Sequence, residues 1–95
     1  MKIAITVQEK SLDAAIDPRF GRCASAIVVD TGSQEILDGG QNAAAQAPGG
    51  AGTQTAQWIV QLGAEAIITG NIGPKAHSVI AAAGAVTVEI PALHA

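Results

Sequence analysis

The chain has 95 residues, a formal net charge of −3 and only five Lys and Arg. It therefore builds one small core and lacks the basic stripe that a nucleic-acid backbone demands. A single cysteine and no tyrosine exclude an internal disulfide and a Cys-only zinc site, and leave Val, Ile and Leu to fill the interior.

Lys2 to Val7 alternates around Ile3, Ile5 and Val7 and predicts a first strand, with no basic, apolar and small-residue blocks of a secretion signal before it. The β-branched run Ala24 to Asp30 predicts a second strand, and Ser11 to Arg22, with Pro18 and Gly21, reads as a long loop between the two. Thr31-Gly32-Ser33 signals a turn into a short third strand, Gln34 to Leu37, so that the first three strands form an antiparallel meander. Asp38 to Gly52 is Gly, Asn, Ala, Gln and Pro without a charge after Asp38, which predicts a mobile loop.

Thr53 to Leu62 shows helical spacing through Ala56, Ile59 and Val60 and is stopped by Gly63; Trp58 beside them reads as a half-buried packing residue. Ala64 to Thr69 predicts a buried strand, Pro74 to Ala83 a second helix ended by Gly84, and Ala85 to Ile90 the last strand. The order β-β-β-α-β-α-β implies one α/β domain over residues 1–95, a mixed sheet with strands one and four as parallel neighbours. Apolar stretches such as Ala24–Val29 and Val79–Val88 fall short of the ~20 residues that span a bilayer, so the expected location is the cytoplasm.

Three segments carry the chemistry: Asp17-Pro18-Arg19-Phe20-Gly21-Arg22-Cys23, Pro48-Gly49-Gly50-Ala51-Gly52, and Thr69-Gly70-Asn71-Ile72-Gly73-Pro74-Lys75-Ala76-His77. The second and third precede predicted helix starts, where unpaired N–H groups and a partial positive charge attract anions, and glycine lets a ligand approach the backbone. Each residue also has a plainer reading. Gly49, Gly50 and Gly52 grant flexibility or contact an anion; Gly70, Asn71 and Gly73 form an ordinary strand-to-helix turn or a ligand loop. Arg19 and Arg22 pair with Asp13 or Asp17, or form a cationic turn around Phe20 and Gly21. Cys23 is a small buried thiol or a soft-metal ligand, and His77 is a solvated side chain or a second ligand; His94 falls near the chain's end.

Catalytic signatures are missing from the sequence. No acids cluster on a strand as two-metal hydrolysis needs, no Gly-x-Ser-x-Gly elbow occurs, and the glycine run lacks the Gly-Lys-Ser/Thr ending of a nucleotide-binding loop. A non-enzymatic binding protein is the expectation.

Taken in this order, the three segments resemble the dinitrogenase iron-molybdenum cofactor biosynthesis family, which includes NifX and NafY carriers, the C-terminal domain of NifB and short stand-alone proteins. The similarity runs from Met1 to about Ile90. It implies a ribonuclease H-like fold without nuclease activity, and binding or delivery of an iron-sulfur or molybdenum-iron-sulfur cluster among cluster-donor or acceptor proteins. Backbone N–H groups and cations stabilise such anionic clusters, while a thiolate or imidazole supplies a ligand. In the nitrogenase-associated carriers the residue before Phe-Gly is typically histidine; here it is Arg19, which stays protonated and is no ordinary metal ligand.

The expected site therefore has Arg19, Phe20, Gly21, Arg22 and Cys23 on one wall and Gly49 to Gly52 with Gly70 to Lys75 on the other. Arg19, Arg22 and Lys75 balance charge, and Cys23 and His77 are the candidate metal ligands. A regulatory domain binding a small anion or a protein at the same loops is the alternative. A face of the sheet left uncovered beyond the fifth strand would favour a homodimer.

Overall fold

A computed structural model of the chain describes residues 1–8, 16 and 19–90. The strands are β1 (Lys2–Val7), β2 (Ser25–Asp30), β3 (Glu35–Gln41), β4 (Ala66–Thr69) and β5 (Val86–Glu89); the helices are α1 (Ala51–Gln61) and α2 (Pro74–Ala82). They form an α/β structure with one five-stranded mixed sheet in the order β3-β2-β1-β4-β5. β1 pairs antiparallel with β2 and parallel with β4, as the order of elements predicts. β4 in turn runs parallel to β5.

Period-two alternation sends Ala4, Ala26, Val28 and Ile67 to one face, where Ala56 and Ile59 of α1 and Ala76 and Ile80 of α2 meet them in the buried core. Phe20, 2% exposed, closes this core at the end where β1 and β4 finish. Beneath it Thr6 Oγ1 donates to Thr69 Oγ1 over 2.8 Å, a buried bond that ties the ends of the two parallel strands. Each helix ends at a glycine in the left-handed region, Gly63 at φ 86° and Gly84 at φ 83°, as the sequence signals require. Among the described residues no helix is long and apolar enough to cross a membrane.

The segment expected to be a mobile loop, Asp38 to Gly52, is the main correction. β3 continues through it to Gln41, and Ala43–Gln46 form a short 3-10 helix with Asn42 as its N-cap. Glycine makes the extension possible. A Cβ on Gly39 would lie 2.5 Å from Ala26 O, so only glycine lets β3 lie this close to β2. The register shifts between Val28 and Val29, skipping Leu37, which is exposed. Gln34, expected to open β3, instead closes the hairpin turn at φ 61°. α1 begins two residues before the predicted Thr53, at Ala51. Most of the predicted Ser11–Arg22 loop, with Asp13, Asp17 and Pro18, lies outside the described residues, as does His94.

Candidate functional site

Parallel strands deliver their following loops to one end of a sheet, where α/β proteins commonly open a crevice. Here the connection after β4 and the connection from β3 into α1 both arrive beside the turn that precedes β2. Phe20 N donates to Asn71 O at 3.1 Å, and Arg19 and Asn71 form an isolated parallel bridge, so the first segment is stitched to the third through backbone. Gly21 meets the second segment. A Cβ on Gly21 would sit 2.7 Å from both Cα and N of Gly52, an approach that requires glycine at position 21.

Around this contact a cavity of about 390 Å³ is lined by Phe20 and Gly21, Gly50 to Thr53, and Gly73 to Ala76. The three predicted segments do converge. Gly50, left-handed at φ 72°, and the extended Gly73 are the N-caps of α1 and α2, and neither helix has a side-chain cap or an acidic residue in its first turn. The first turns of both helices thus border one cavity; among the described residues that line it none is a carboxylate, and Lys75 is the charged one.

Several predicted site residues lie elsewhere. Arg22 does not balance charge in the cavity: its guanidinium donates to Ala45 O at 2.7 Å and Ala47 O at 3.1 Å, closing the carbonyl end of the 3-10 helix. Cys23 does not line the cavity either; it is fully buried, with Asn42 Nδ2 3.5 Å from its sulfur. His77 is exposed, its backbone N donating to Gly73 O within the first turn of α2, and it too is absent from the lining. Among the described residues no three His, Cys, Asp or Glu gather to hold a metal ion. Arg19, Gly49, Gly70 and Asn71 flank the cavity in sequence without lining it.

Sequence reasoning missed Asn42 and Thr55. Both are buried, and together they form a polar knot behind Gly21 and Cys23. Asn42 carries a local signal, a short polar residue ahead of an alanine run, which is the pattern of an N-cap. Thr55 carries none, because its partners Asn42 and Gly21 are 13 and 34 residues away.

Comparisons with known proteins identify the family and the fold. The profile of a family described as dinitrogenase iron-molybdenum cofactor matches residues 1–92. An uncharacterized protein of Methanocaldococcus jannaschii is 40% identical over 81 residues, covering 83% of this chain but 65% of that protein, so the chain spans less than two thirds of this relative's length. Among solved structures, the apo form of the orange protein from Desulfovibrio gigas superposes with a TM-score of 0.87 at 37% identity, covering 93% of this chain and 73% of the other. A Thermotoga protein described as a candidate NifB of the DUF35 family gives a TM-score of 0.77 at 30% identity, covering 94% and 75%.

Proposed function

Because the chain belongs to the dinitrogenase iron-molybdenum cofactor family, we propose that it binds and carries, without catalysis, an anionic iron-sulfur or molybdenum-iron-sulfur cluster or a precursor of one. The observation that carries this reading is the convergence of two uncapped helix starts and the Phe20-Gly21 turn on one cavity with Lys75 in its wall. Helix N-termini favour anions, and a cavity of this size falls within the range of small-ligand sites.

The donor chemistry narrows how the cargo is held. A bare metal ion needs several anionic or imidazole ligands, and the described residues offer no such group. A cluster whose metals are already satisfied by sulfide needs only hydrogen-bond donors and positive charge, which backbone N–H groups and Lys75 supply. Arg19 in place of a carrier-type histidine fits this mode, since no ligand is required of that position. The orange protein has an apo form, which implies that it has something to bind. The sheet order and the antiparallel β1–β2 pair support the ribonuclease H-like assignment. Cluster-donating and cluster-accepting proteins in the cytoplasm are the partners this role requires.

Anaerobic incubation with ferrous iron, sulfide and molybdate, followed by desalting, tests the proposal. Metal and sulfide should co-elute with the protein and give visible charge-transfer bands, and both should persist in Cys23→Ala. Bands that vanish in that variant would replace the N–H cradle by thiolate ligation. Binding of phosphate in a parallel incubation, with neither metal nor sulfide retained in the first, would overturn the carrier reading in favour of an anion-responsive regulatory domain.

A further inference from the structure

The Gly21 wall of the cavity is held from behind by two side chains that do not line it. Thr55, one turn beyond Gly52 on α1, places Oγ1 3.0 Å from Gly21 O. Asn42, the N-cap that follows β3, places Nδ2 3.1 Å from Gly21 O, 3.1 Å from Cys23 O and 3.1 Å from Thr55 Oγ1. The Asn42 backbone N also donates to Ala24 O at 3.0 Å, and its Oδ1 accepts from Ala44 N at 3.1 Å. Asn42 is 6% exposed and Thr55 0%, so water does not replace these bonds when one is lost.

A buried carboxamide and hydroxyl are costly to place in a core unless they are bonded, and apolar side chains would fill the same space more simply. Here the Thr55 hydroxyl reaches Asn42 and Gly21, and the Asn42 carboxamide fastens the turn ahead of β2 to α1 and to the 3-10 helix. Building on the carrier reading, we infer that Asn42 and Thr55 are positioning residues that set the width of the cradle by clamping the Gly21 peptide against the first turn of α1. The clamp acts through the backbone. It keeps the Gly21 carbonyl turned into the polar knot and the glycine's open side against Gly52, so the N–H groups of α1 stay at a fixed distance from the Phe20-Gly21 wall.

Two variants at one position separate positioning from mere stability. Thr55→Val keeps the shape and removes the hydroxyl, whereas Thr55→Ser keeps the hydroxyl and removes the methyl. The probe is tetrathiomolybdate, a soluble molybdenum-sulfur dianion, titrated well below the Tm of each variant. Losing the hydroxyl should weaken binding about tenfold in Thr55→Val, while Thr55→Ser stays within about threefold of the parent despite a lowered Tm. Unchanged affinity in Thr55→Val, or an equal loss in Thr55→Ser, overturns the inference. Should the parent protein fail to bind the probe, the carrier reading is what falls, and amide hydrogen exchange then decides the clamp by itself. Faster exchange at Gly21, Arg22 and Gly52 in Thr55→Val but not in Thr55→Ser sustains it; unchanged exchange in Thr55→Val refutes it.

Discussion

Reversing the charge at Lys75 should separate binding from stability, because the two respond in opposite directions. Lys75 is the second residue of α2 and an exposed member of the cavity wall. A carboxylate in the first turn of a helix is favoured by the macrodipole by about 0.3–1 kcal/mol, so Lys75→Glu should leave the fold intact and raise Tm by roughly 1–5 °C. Bound anion feels the reverse. Unit charges ~4 Å apart interact by about 1 kcal/mol in a water-like medium, and the exposure of Lys75 argues for that lower limit. Turning attraction into repulsion then costs about 2 kcal/mol per unit of cargo charge, roughly thirtyfold in Kd and more for a dianion. Tetrathiomolybdate titrations of the parent, Lys75→Gln and Lys75→Glu should show a graded loss. The gap should narrow as salt is raised, because screening acts on exposed charges. An affinity within about threefold of the parent in Lys75→Glu would refute the electrostatic role of this wall. So would a Tm that falls in step with binding, which would mean the helix start had been damaged.

Two further substitutions test the packing around this site. Gly21→Ala places a methyl 2.7 Å from the Gly52 backbone; urea unfolding should show a loss of about 1–3 kcal/mol from overpacking, accompanied by weaker tetrathiomolybdate binding. Thr87 on β5 has a buried hydroxyl with no hydrogen-bond partner among the described residues. Thr87→Val should raise stability by roughly 1 kcal/mol in the same assay while leaving binding unchanged. A stability loss there would show that the hydroxyl is in use.

The elements that sequence patterns located are those whose physics is local. Ile3, Ile5 and Val7 alternate with the period of a strand, although Ala4 and Thr6 between them are the more fully buried face, and Gly63 and Gly84 stop helices because only a left-handed residue turns the chain there at low cost. β3 beyond Leu37 failed for the converse reason. Gly39 reads as a loop former by itself, and its strand role exists only because Ala26 O lies where a Cβ would be. The site divided along the same line. Glycine-bearing segments ahead of helices were recognisable as backbone features, and the structure brings those backbones together. Arg22, Cys23 and His77 were judged from side-chain chemistry, whose direction depends on contacts distant in sequence. Arg22 turns toward the Ala45 and Ala47 carbonyls, and Cys23 turns into the knot around Asn42.

On the carrier reading proposed above, a cradle of backbone N–H groups would suit delivery better than a set of metal ligands. Thiolate or imidazole bonds to a cluster have to be exchanged one by one before cargo leaves, and each exchange requires a competing ligand from the recipient. Hydrogen bonds from two helix starts and one lysine would let go together when an acceptor offered stronger bonds to the metals themselves. The cost of this arrangement is geometric, since N–H groups on two separate helices are additive only while both face the same volume. That requirement explains why so much buried polar chemistry lies behind the cavity rather than in it. Asn42, Thr55 and the Gly21–Gly52 contact fix the first segment to α1, and the Phe20 N to Asn71 O bond fixes it to the loop that leads into α2. The turn from Arg19 to Gly21 thus ties the start of α1 to the loop ahead of α2, and on the proposed reading its backbone, more than its charges, would make the site.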